Sequence, residues 1–150
     1  MSLAQGSFYS SDNRTIGLIS LAHGTSHFYH LVLPPLFPWL KIEFGLSYAE
    51  LGLLMTVFFV VSCIVQASSG FLVDHKGARP VLFAGIGLLA LSAVTYAVSS
   101  SYLGLMIGAI LMGCGNGVFH PVDYTLINHK ISAKRLPYAY SFHGVTGYLG

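Results

Sequence analysis

Charge is what this sequence has least of. Only 8% of its 150 residues are Asp, Glu, Lys or Arg, against roughly 25% in a typical soluble chain. Residues 15–40, 51–73, 80–122 and 136–150 carry none at all. A soluble protein needs charge to cover its surface, so this shortage excludes a soluble globular enzyme and a disordered tail. The formal net charge of +2 is too small and too dispersed to track phosphates, which excludes a nucleic-acid partner. Cysteine is also scarce. Cys63 and Cys114 both fall in apolar stretches and read as small buried thiols rather than a disulfide or metal pair. Sustained alternation of polar and apolar residues is missing too, which argues against a membrane β-barrel.

What is present is apolar length. Hydrophobic types make up 54% of the chain, and a helix crossing a bilayer needs about 20 mostly apolar residues. The uncharged stretches predict an all-α membrane bundle of four complete transmembrane helices, at about 16–40, 48–73, 80–98 and 102–126, and the start of a fifth at 137–150. Residues 1–15 read as a polar N-terminal tail with no cleavable signal peptide. Ser47 and Glu50 suit a capping box flanked by Leu46 and Leu51. The polar run at residues 99–102 is the natural turn between the third and fourth helices. Arg14, Lys76, Arg79, Lys130, Lys134 and Arg135 would lie on one side and only Lys41 on the other. By the positive-inside rule the N-terminus is expected in the cytoplasm, with the chain multi-pass in the plasma or inner membrane.

Polar groups inside the helices point to function. His23, His27 and His30 fall at i, i+4 and i+7, so they share one face of the first helix, which Ser20 extends. Asn116, His120 and Asp123 repeat that spacing in the fourth. His143 lies about two turns into the fifth, and His120, Asp123 and His143 should share a depth. A carboxylate at mid-bilayer costs roughly 2.5–3.5 kcal/mol, so these faces should line a bundle interior or a wet cavity. Histidine there makes proton coupling chemically available. The third helix, with Ser92, Thr95 and Tyr96 as its polar groups, reads as peripheral and lipid-facing. Two other readings are open: a membrane metalloenzyme using the His23, His27 and His30 face, in which His23 and His27 could hold a metal, and a non-transporting membrane assembly subunit. The pattern occurs once and has no acidic cluster beside it, so neither metal nor cofactor is expected, and no catalytic residue is assigned.

Gly104, Gly108, Gly113, Gly115, Gly117, Gly144 and Gly147 are expected to let helices pack closely. Pro34, Pro35, Pro38 and Pro121 favour kinks. The loop after the second helix runs from Gly70 through Leu72 and Asp74 to Gly77 and Arg79. Gly77 permits a tight turn. Asp74 ends a helix, where the dipole disfavours an anion, so it needs a basic residue or another helix's N-terminus.

That loop resembles the signature between the second and third helices of the major facilitator superfamily. Gly70, Leu72, Asp74, Gly77 and Arg79 match it, while His75 and Ala78 stand where basic residues are common. The stretch from Gly113 to Pro121, Ser141–Gly144 and Gly147–Gly150 resemble that superfamily's fosmidomycin-resistance branch, which exports drugs against a proton gradient. The resemblance implies a proton-coupled antiporter working by alternating access on a small-molecule substrate, not an enzyme. In it Asp74 and Arg79 would latch the cytoplasmic gate. Ala109 occupies a position where many proton-driven members carry arginine, so the histidines and Asp123 would have to carry coupling. Such transporters have twelve helices, so the expected partners are the lipid bilayer, protons and the missing C-terminal helices of the same transporter.

Overall fold

The computed structural model describes residues 3–150, with side chains from Ser11 onward. All regular structure among these residues is helical. Helix α1 spans Leu3–Leu31. A 3-10 turn at Pro34–Leu36 leads into the short α2, Phe37–Phe44. Helices α3, Tyr48–Lys76, and α4, Ala78–Val98, follow. Helix α5 is Tyr102–Asn116 and α6 is Phe119–Lys130. A second 3-10 turn at Ala133–Arg135 enters α7, Leu136–Leu149. Three segments are long and apolar enough to cross a membrane: Tyr48–Lys76, Ala78–Val98 and Tyr102–Lys130.

Local chemistry sets several of these boundaries. The Ser47 side chain accepts from the Glu50 backbone N–H while the Glu50 carboxylate accepts from the Ser47 backbone, which closes the capping box that starts α3. Gly77 separates α3 from α4 with φ +84 and ψ 152, a conformation open to glycine alone. Ser101 caps α5 by accepting from the Gly104 N–H.

Two helices depart from the sequence reading. The first helix was expected at 16–40, after a polar tail. Instead α1 is helical from Leu3 and stops at Leu31, because Pro34 and Pro35 supply no N–H to continue it. Its polar end is tied down from far away in the chain. Asp12 is buried and accepts from the Ser132 hydroxyl at 2.7 Å, and the Arg135 guanidinium donates to Asn13 at 2.7 Å. The fourth helix was expected as one piece. It breaks between α5 and α6 at Gly117 and Val118. Pro121 has no N–H to offer the Gly117 carbonyl one turn earlier, which loosens the chain at that point.

Helix α5 packs between α3 and α4, whereas α1 packs against α7 and α6; α6 also touches α3 and α4. The third predicted helix, α4, is only half peripheral. Val81, Gly85, Leu89 and Ser92 form a buried stripe, and Ser92 donates to the Gly108 carbonyl at 2.9 Å. Its other face exposes Phe83, Leu91, Val94 and Val98. Cys63 is exposed rather than buried, and Cys114 is partly buried; both are free.

Glycine makes the close packing feasible. A Cβ on Gly113 would lie 2.7 Å from the Phe58 carbonyl oxygen of α3, and one on Gly117 2.5 Å from that of Ser62. One on Gly115 would lie 2.8 Å from the Gly85 carbonyl oxygen of α4. Gly108 faces the Tyr96 ring and Gly104 the Ser99 side chain at similarly short range. Gly144 departs from the expectation, since a Cβ there meets nothing within 4 Å. Gly52, also open on every side, is a control for helix propensity. Gly117→Ala should lower the stability of the purified protein by about 1–3 kcal/mol through overpacking. Gly52→Ala should leave it unchanged or raise it by up to about 1 kcal/mol. Thermal unfolding in detergent reads both, and equal shifts would refute the packing role.

Candidate functional site

Helical spacing singles out His23, His27 and His30 on α1 and Asn116, His120 and Asp123 around α5 and α6, and common depth adds His143 on α7. The fold brings all of them to one wall where α1, α6 and α7 meet. The depth argument explains part of this. Asp123 stands seven residues before the end of α6, and His143 seven residues after the start of α7. Each is therefore about 10 Å along its helix from the connecting turn.

The lower part of the wall is built on Asp123. Its side chain has no exposure, and its Oδ2 receives the His143 Nε2–H at 3.1 Å. His23 Nδ1 lies 3.3 Å from the same oxygen, with its side chain 4% exposed, but without hydrogen-bond geometry. The His23 and His143 rings stack with centroids 3.6 Å apart. His27 lies 4.5 Å from His23 between ring centroids, and His120 lies 5.0 Å. Asp123 Oδ1 and His27 Nε2 are buried without a hydrogen-bond partner. Gly147 gives His23 its room, since a Cβ there would sit 2.9 Å from Nε2.

The upper part is built on Asn116. Its Nδ2 donates to the Ser26 carbonyl of α1 at 3.0 Å, which fixes the amide orientation. Its Oδ1 then accepts from the Ser62 hydroxyl of α3 at 2.8 Å and from the His30 Nε2–H at 3.0 Å. One buried amide thus joins three helices. Ser26 and Ser62 were missed from the sequence. Ser26 lies one residue before His27, but serine is too common in membrane helices for that to single it out.

His120 looks outward from the wall. With Cys63, Gln66, Ala67, Pro121 and Tyr124 it lines an open recess of about 390 Å³ between α3 and α6. Tyr124 also sits beside His143, with ring centroids 5.7 Å apart, and was likewise missed.

The loop residues lie elsewhere. Gly70, Leu72 and Asp74 occupy the end of α3, Gly77 the turn, and Arg79 the first turn of α4. Asp74 is exposed and, among the described residues, meets neither the basic partner nor the helix N-terminus that its position calls for. Arg79 borders a groove of about 470 Å³ between α1, α4 and α6, with Lys130 at the same end. The sequence looked for metal ligands along the first helix alone. Among the described residues, the group close enough to share an ion crosses three helices: His23, Asp123 and His143.

Asn116 should be the costliest uncharged position in the wall. Asn116→Ala strands His30, Ser62 and a backbone carbonyl, for an expected loss of about 1–3 kcal/mol. Ser62→Ala removes one donor and should cost less, and the double variant should fall short of the sum. Denaturation of the purified variants tests this; additive losses would show that the two side chains act independently.

Residues 19–150 match the sequence profile of the Major Facilitator Superfamily. The fosmidomycin resistance protein of Escherichia coli is 27% identical over 135 residues, covering 90% of this chain and 33% of its own length. An uncharacterized MFS-type transporter of Bacillus subtilis, YvkA, is 31% identical over 99 residues, covering 66% of this chain and 22% of its own length. A multidrug resistance protein B homolog of Mycobacterium tuberculosis is 25% identical over 137 residues, covering 91% and 25%. The chain therefore spans a third or less of the length of these relatives. No solved structure matches it. The helical bundle, its apolar exterior and the profile match over most of its length agree: the chain belongs to the Major Facilitator Superfamily of membrane transporters.

Proposed function

We propose that this chain is the N-terminal portion of a secondary transporter that moves a small organic solute or drug outward by alternating access, driven by inward movement of protons. The observation that carries the reading is the buried polar wall. Five of the seven histidines in the chain, one asparagine and one carboxylate meet inside an otherwise apolar bundle. Such groups are expensive in a membrane unless they face a bundle interior or a wet cavity, and so many on one wall favour a solute path. Export is supported by relatives named for resistance to fosmidomycin and to multiple drugs. The wall would contact solute through His27, His30, His120 and Asn116, and the remaining helices of the same transporter would close the path from the other side. Asp74 and Arg79, unpaired among the described residues, are available to latch those helices. The basic residues favour an N-terminus in the cytoplasm and a multi-pass position in the cell membrane.

The test uses the complete transporter in cells and in proteoliposomes, with fosmidomycin as the first solute. Expression should lower drug accumulation, and collapsing the pH gradient should abolish outward flux. His120→Ala should reduce flux at least tenfold while the protein still inserts. Flux that persists at full rate without a pH gradient overturns the coupling. Undiminished flux in His120→Ala overturns the assignment of the wall.

A further inference from the structure

Three side chains in this wall do more than line it. His23 Nδ1, Asp123 Oδ2 and His143 Nε2 come from α1, α6 and α7, and their ligating atoms all lie within 4.8 Å of one another. All three residues are buried. Two of the separations, 3.3 and 3.1 Å, are close to what neighbouring ligands adopt around one ion when each bond is about 2.0–2.2 Å. One further fact points the same way. Asp123 Oδ1 and His23 Nδ1 are buried without a hydrogen-bond partner, although buried polar atoms normally have one. The two imidazoles stack at 3.6 Å, so one ring must turn for both in-plane nitrogen lone pairs to aim at a single ion.

We propose that His23, Asp123 and His143 form a binding site for one divalent transition-metal ion of the zinc class. Two imidazole nitrogens and a carboxylate oxygen make up a three-ligand set that zinc accepts while keeping one position open. Calcium and magnesium prefer all-oxygen shells, so the same set selects against them. The ion takes the place of the hydrogen that His143 Nε2 now shares with Asp123; that ring then carries its hydrogen on Nδ1. His27 and His120 stand beside His23 as the nearest further nitrogen ligands. Tyr124 is the other polar side chain close to His143. Metal binding here goes beyond the transport reading and does not depend on it.

The test is titration of the complete, untagged, detergent-purified protein with Co²⁺ as a spectroscopic substitute for zinc. Calorimetry and visible absorption should report one equivalent bound with micromolar or tighter affinity, zinc displacing cobalt and magnesium failing to. Asp123→Asn and His143→Ala should each weaken binding at least tenfold. His75→Ala and His129→Ala, both at exposed positions, should leave it unchanged. His143→Cys guards against misfolding: it should restore binding and add a sulfur-to-cobalt charge-transfer band. No cobalt bound by the wild type overturns the site. So does binding that survives Asp123→Asn and His143→Ala undiminished. These readouts require no flux, so a failed metal site and a failed transport assignment are told apart.

Discussion

A carboxylate with no access to water governs this bundle. Asp123 is fully buried, and an isolated buried charge costs far more than a domain of this size can absorb. It therefore needs partners, and α6 supplies none at hydrogen-bonding distance. His143 of α7 supplies a hydrogen bond, and His23 of α1 stands 3.3 Å from the same oxygen without hydrogen-bond geometry. One side chain thus draws three helices to a single point, with its second oxygen still unpartnered. The break at Gly117 and Val118 serves the same end. It divides the fourth spanning segment into α5, which belongs with α3 and α4, and α6, which belongs also with α1.

The residues just before the break form the second fixed point. Gly115 and Gly117 lie against the backbones of α4 and α3, at distances no Cβ would tolerate. Asn116 stands between them and reaches α1 and α3 through its amide. The glycines and the asparagine are parts of one device. Backbone contact brings α5 close enough for a side chain as short as asparagine to bridge two neighbours. The amide in turn satisfies polar groups that tight apolar packing would leave stranded.

What was legible in the sequence was what is local or forced by the bilayer. The capping box, the glycine turn at Gly77 and the three-residue turn before Tyr102 depend on neighbours within four residues. The shared faces of His23, His27 and His30, and of Asn116, His120 and Asp123, follow from helical geometry alone. The common depth of Asp123 and His143 follows from counting residues outward from one turn. What escaped was long-range. Asp12 looked like part of a free tail because its partner, Ser132, is 120 residues away. Ser62 has no local feature that separates it from any other serine in an apolar helix. The His23, Asp123 and His143 set spans three helices, so no linear spacing could announce it. The fourth span does run as one apolar segment, Tyr102–Lys130; the loosening expected from Pro121 falls one turn earlier, at Gly117 and Val118, which keep right-handed helical angles.

The placement of polarity also explains why α1 is not among the segments most like a membrane span. It carries three of the five wall histidines, and its far end holds Asp12 and Asn13 in contacts with the turn before α7. Helices α3 and α4 carry none of the wall's ionisable groups, and their apolar character is correspondingly intact. In a bilayer, polarity that exceeds what packing requires must be shielded by other helices. Here that shielding comes from α6 and α7, the two helices against which α1 packs most. The helix least suited to stand alone in lipid therefore turns Ser20, His23 and Ser26 into the bundle and leaves Leu18, Leu21, Phe28 and Leu31 on its outer side.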